Sequence, residues 1–170
     1  MKRFILAITA TVLMSGPAAA QTVIIVRHAE KADQSADPLL SEAGQLRALA
    51  LSQVLADANV TQVLSTPLNR TRDTARLTAE AAHVPVTEIS LDGGGAAHIA
   101  RVAAAVRAFS PADVVLVVGH SNTVDQIAKA LGDPEPETLT DCDYDRLVVL
   151  TLDGEGANVV RGRYGAPSPC

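Results

Sequence analysis

Two unbroken aliphatic runs constrain this chain more than any other feature. Residues 23–26 read VIIV, four consecutive β-branched residues, and residues 114–118 read VVLVV. Runs this short and this apolar, bounded by polar or turn residues, are the mark of buried strands. Each ends abruptly in charge or imidazole. The first runs into Arg27, His28, Glu30 and Lys31, the second into Gly119 and His120.

Helix-like segments alternate with these strands. Ser41 is placed to cap a helix through EAGQLRALALSQVLADA, in which Leu46, Leu49, Ala50 and Val54 recur at helical spacing and predict the apolar face. Gln62–Leu64 follows as a second strand. Ser65, Thr66 and Pro67 then read as a cap with proline at the first helical position. Val84–Ile89 predicts a short strand kept to an edge or start by Pro85. The GGG at 93–95 opens an Ala-rich helix running to Phe109, and Ser121 is expected to begin the helix after VVLVV, which ends near Gly132. DPEPET reads as a surface connection, and RLVVLTL with NVVRGRY as an antiparallel pair at the sheet edge. Alternating strands and helices predict a three-layer α/β/α sandwich with a mostly parallel central sheet.

Residues 1–20 stand apart from this pattern. A basic start at Lys2 and Arg3, an apolar run to Met14, a Gly16-Pro17 break and Ala18-Ala19-Ala20 have the three regions of a secretory signal. Cleavage is expected near Ala20, leaving a single domain over 21–170 that is periplasmic or secreted and has no membrane span. The chain carries a formal charge of −5 with two Phe, two Tyr and no Trp. Such a surface offers neither the basic footprint nor the stacking platforms of nucleic-acid binding. The two cysteines, Cys142 and Cys170, match no metal-ligand spacing. In an exported protein they are expected to form a disulfide.

In α/β sheets, ligands sit outside the carboxyl ends of the strands. There the chain puts Arg27 and His28, then Arg70 in the first turn of a helix, then His120 with Ser121. Each residue singly has an ordinary reading as a solvated loop or a surface ion pair. Together they make one electropositive crevice in an acidic protein. Guanidinium forks match phosphate oxygens bidentately, so the expected occupant is a phosphoryl group. Two histidines fall short of the three protein ligands of catalytic zinc, so no metal is expected.

VRHAEK, LSEAGQLRA, STPLNRTRDTA and VVGHSNT follow in order the motifs of the histidine phosphatase superfamily, branch 1. The chain resembles the phosphoglycerate mutase-like members, and within them the small exported bacterial RHAEK type. The resemblance implies a phosphatase acting through a phosphohistidine on His28. Arg27, Arg70 and His120 would hold the transferring group, Ser121 would add to phosphate binding, and no cofactor would be needed. It implies a general acid without locating one. His98, Glu88 and Asp92, in that order, are the candidates in the region where relatives supply a Glu. The alternative is a phosphate- or phosphosugar-binding module, or an inactive scaffold on the same fold.

Overall fold

The computed structural model describes residues 20–153 and 156–168. The leader expected at 1–20 lies almost wholly outside these residues, and so does Cys170. Six strands, β1 (Gln21–Arg27), β2 (Gln62–Ser65), β3 (Val86–Glu88), β4 (Val114–Gly119), β5 (Arg146–Leu152) and β6 (Ala157–Arg163), form one sheet in the order β3-β2-β4-β1-β5-β6. The first four are parallel, and β5 and β6 are antiparallel. The two aliphatic runs lie side by side at its centre, with Val23 paired to Val115 and Arg27 to Gly119. β3, which carries the strand start after Pro85, lies at an edge, and β6 is the other edge.

Among the described residues four helices complete the layers: α1 (Glu42–Val54), α2 (Asn69–Ala82), α3 (Gly94–Ala108) and α4 (Val124–Ala130). Strand side chains alternate between faces, which explains why uninterrupted aliphatic runs are needed. Ile24, Val26, Leu116 and Val118 pack with Leu51 and Leu55 from the α1 region and Ala75 and Ala79 of α2. Val23, Ile25, Val115 and Val117 pack with Val102 and Val106 of α3 and Val124 and Ile127 of α4. Among the described residues no helix is long and apolar enough to cross a membrane.

Three local expectations are corrected. The apolar stripe of α1 is not its buried face: Leu46, Leu49 and Val54 are exposed, whereas Gly44, Arg47, Ala48 and Leu51 are buried. The face is turned by Glu30, whose carboxylate accepts three bonds from Arg47 at 2.7–3.0 Å. Its backbone also lies so close to Gly44 that a Cβ there would stand 2.3 Å from Glu30 O. The same face puts Leu51 and the following Leu55 into the core, while Leu46, Leu49 and Val54 remain at the surface. Second, α2 begins at Asn69 rather than Pro67, and its N-cap Leu68 makes no side-chain capping bond. Third, α4 begins at Val124, with residues 121–123 in a turn. Ser121 therefore does not start a helix.

Candidate active site

The parallel register of β1 and β4 brings the first site residues together. Arg27 stands beside Gly119, and the chain leaves both strands in step, His28 N donating to Gly119 O at 2.9 Å. The His28 and His120 rings meet edge to face with centroids 5.3 Å apart. A crevice of about 390 Å³ opens here, lined by Arg27, His28, Lys31, Arg70, His120 and Ser121, together with Gly94, Gly95, Asn122 and Asp141 among others. A larger groove of about 510 Å³ is lined by Leu46, Leu49, Asp73 and Arg76. It gathers no histidine and no converging cations, so the smaller crevice is the candidate site.

His28 is oriented by the turn that follows it. Its Nδ1 donates to Ala29 O at 2.8 Å, and Ala29 N in turn donates to Thr74 Oγ1 of α2 at 2.9 Å. In the neutral ring this leaves the lone pair on Nε2. Burial lowers the His28 pKa to about 4, opposed by the bond to Ala29 and reinforced by the charges of Arg27, Arg70 and Lys31. His120 is lowered to about 3, first by burial and then by His28, Arg70, His98 and Arg27. Both imidazoles are therefore neutral at pH 7, and the His28 ring is tethered through Nδ1.

His120 Nε2 lies 3.2 Å from Thr66 Oγ1, which lies 2.7 Å from Thr71 Oγ1. Thr71 also donates to Leu68 O at 2.8 Å. Thr66, Thr71 and Thr74 are fully buried. Sequence reasoning took Thr66 for a helix cap and passed over the other two. The signal was present in the string STPLNRTRDT, where three threonines recur on the strand end and helix face that carry Arg70.

The two arginines are held differently. Arg27 is 3 % exposed; it donates to Thr140 O at 2.8 Å, lies 3.6 Å from Asp141 and stacks on the Tyr144 ring at 4.0 Å. Burial lowers its pKa, and Tyr144, Asp141, Asp143 and Glu30 oppose that shift. Arg70, in the first turn of α2, reaches Asp37 at 3.8 Å and Ala36 O at 3.4 Å. Its Nε is buried without a hydrogen-bond partner, as is the Nε of Arg27. Such unpaired buried donors are costly. Among the described residues no group of three or more His, Cys, Asp and Glu side chains is gathered to hold a metal ion.

The three proton-donor candidates lie away from the lining. His98 is 1 % exposed and donates from Nδ1 to Ser90 O at 3.1 Å. Glu88 pairs with Arg72 at 3.3 Å on the surface. Asp92 accepts from Ser90 Oγ at 2.7 Å. Among the described residues Asp141 is the one carboxylate in the lining, with its side chain 97 % exposed beside Arg27. Glu30 braces Arg47 rather than a crevice arginine, and Lys31 reaches Gln34 at 3.0 Å from the crevice rim.

With this geometry in place, the likeness to known proteins falls into a pattern. The family model "Histidine phosphatase superfamily (branch 1)" matches residues 23–90. No curated protein matches the chain by sequence. The protein histidine phosphatase SixA, solved with tungstate, is 22 % identical, with a TM-score of 0.63 over 88 % of this chain and 97 % of its own. A mycobacterial glucosyl-3-phosphoglycerate phosphatase is 19 % identical, with a TM-score of 0.60 over 86 % and 99 %. Bacillus stearothermophilus YhfR is 18 % identical, with a TM-score of 0.65 over 83 % and 96 %. At these identities the structural likeness is one of fold, and the sequence pattern covers the stretch 23–90 that carries Arg27, His28 and Arg70.

Proposed function

We propose that this chain, which carries the branch 1 histidine phosphatase pattern over residues 23–90 and has that superfamily's fold, is a phosphatase that needs no metal. It hydrolyses a phosphomonoester or other phosphorylated biomolecule in two steps. His28 Nε2 attacks phosphorus and the bond to the leaving atom breaks, giving N-phosphohistidine and the free leaving group. Water then attacks the phosphohistidine, the P–N bond breaks, and inorganic phosphate leaves with His28 restored. Arg27, Arg70 and His120 bind the equatorial oxygens and offset the charge that builds on them. The observation that carries this reading is the tether of His28 Nδ1 to Ala29 O, with Nε2 left as the attacking atom beside two guanidiniums.

The leaving group refines the substrate class. None of His98, Glu88 and Asp92 lines the crevice, and among the described residues its one carboxylate is the exposed Asp141. A site with so little acid in place suits a leaving atom that takes its proton readily from water. A phosphoramidate, such as a phosphorylated histidine side chain, meets that requirement better than an alkyl phosphate. A protein histidine phosphatase is among the structural neighbours, which supports the choice.

Export and the disulfide complete the proposal. The leader-like composition of residues 1–20 supports secretion or a periplasmic location. Ser168 Oγ accepts from Tyr144 N at 2.9 Å and Asp145 N at 3.2 Å, which brings the tail alongside the Cys142 segment and supports pairing with Cys170. Intact-mass measurement of the exported protein, with and without reductant, tests both.

The activity test incubates residues 21–170 with a chromogenic phosphomonoester and with a phosphohistidine peptide, in chelator, with and without vanadate, beside His28→Ala. Chelator-resistant, vanadate-sensitive turnover that disappears in His28→Ala is expected, with the phosphohistidine peptide the faster substrate. Phosphate binding by calorimetry with no turnover of any ester or phosphoramidate sinks the phosphatase reading in favour of a binding module.

A further inference from the structure

Beyond DPEPET, read from sequence as a surface connection, residues 140–144 between α4 and β5 make one wall of the crevice. Arg27 meets it on three sides. Its Nη1 donates to Thr140 O at 2.8 Å, its Nη2 lies 3.6 Å from Asp141, and its carbon lies 4.0 Å from the centre of the Tyr144 ring. The same ring lies 6.1 Å from the His28 ring, tilted by 59°. Tyr144 thus touches both residues on which the proposed reaction turns.

The wall is itself braced. Thr140 N and Oγ1 donate to Asp143 at 2.8 and 2.7 Å, and Asp143 faces Arg146 at 3.5 Å. Ser168 takes the backbone N–H groups of Tyr144 and Asp145. Asp145, 2 % exposed, receives Arg163 at 2.7 Å, and Tyr164 N donates to Asp145 O at 2.9 Å. A ring held this firmly can set the plane of a guanidinium. Of the five guanidinium N–H donors, Thr140 O takes one, and the stack leaves the Nε edge without a protein partner.

We infer that Tyr144 is a positioning residue for the anion site: its ring fixes the guanidinium plane of Arg27, and with it the direction in which the Nη groups meet the phosphoryl oxygens. The inference rests on the phosphatase reading for its meaning in catalysis, but anion binding tests it without turnover. A cation stacked on an aromatic face is held by the ring's quadrupole, and the hydroxyl contributes little to that.

The test compares Tyr144→Leu and Tyr144→Phe with the native chain. Calorimetry measures binding of inorganic phosphate, steady-state kinetics measures kcat and KM, and thermal melting measures stability. Tyr144→Leu is expected to weaken phosphate binding and lower kcat/KM by roughly two- to thirtyfold. Tyr144→Phe is expected to recover both to within about twofold of the native chain, because the ring remains. Native phosphate affinity in Tyr144→Leu overturns the inference, whatever happens to its melting temperature. Equal losses in the Phe and Leu variants also overturn it, since the hydroxyl would then be the active part. If Tyr144→Leu does not fold, Ser168→Ala, which frees the backbone beneath the ring, must weaken phosphate binding at least twofold. A native value there overturns the proposal as well. Absence of turnover in the native chain with phosphate binding intact fails the phosphatase reading alone.

Discussion

Replacing Arg47 by methionine should destabilise this protein more than most single substitutions away from the crevice. Arg47 is 4 % exposed and makes four hydrogen bonds of 2.7–3.0 Å, three to Glu30 and one to Tyr164 O. Methionine keeps most of the apolar stem and removes the charge, so Glu30, 8 % exposed, is left as a buried carboxylate without its cation. Breaking a buried pair from one side costs about 3–5 kcal/mol. At roughly 2–4 °C per kcal/mol for a domain of this size, the melting temperature should fall by about 6–20 °C. Because Glu30 lies two residues beyond His28, kcat/KM should also fall, on the order of tenfold, through loss of placement. The double variant Glu30→Leu/Arg47→Met removes both charges and should recover to within about 2 kcal/mol of the native chain, since apolar pairs replace buried ion pairs at little cost. Urea denaturation of the four proteins gives the coupling energy directly. A single variant within about 1 kcal/mol of native, or a double variant equal to the sum of its singles, refutes the assignment of α1's orientation to this ion pair.

Two further outcomes concern pH and packing. His28 and His120 are lowered to about 4 and about 3, so the acid limb of kcat/KM, corrected for the substrate's own ionisation, should fall near pH 4 rather than near 6.5. The unfolded chain binds more protons than the folded one between those values, so stability should be full near pH 7 and decline as pH falls through 6.5 toward 4. Urea midpoints at several pH values check this, and in His28→Ala the decline should shrink; an unchanged slope there removes His28 as its source. Gly44→Ala puts a Cβ 2.3 Å from Glu30 O; the clash is with backbone, so a loss of about 1–3 kcal/mol or more is expected. A native urea midpoint in that variant counts against the close approach of α1 to the His28 loop.

Much of the site was legible in the string because it depends on strand ends. An aliphatic run buried on both faces must end where the sheet ends, and whatever follows stands at its carboxyl edge. Arg27, His28 and His120 could therefore be placed beside one another from VIIVRH and VVLVVGH, and Arg70 from its position just beyond β2. The orientation of α1 was not legible. Its leucines fall on two faces, Leu46 and Leu49 on one and Leu51 on the other, and the ion pair between residues 17 apart lies on the second. The proton-donor candidates could not be placed for a related reason, since local sequence cannot say whether His98 leans over a crevice or packs behind its wall.

By itself, then, the sequence determined the layered α/β architecture, the central pair of strands and the cationic crevice at their ends. Those follow from hydrophobic periodicity and chain direction, which are local properties. Only the tertiary structure decided that threonines of β2's end and α2 hold the imidazoles, that Glu30 serves Arg47, and that a loop some 115 residues from Arg27 supplies the ring beneath it. Those contacts join elements far apart in the chain, and their energies depend on burial and distance that no local pattern records.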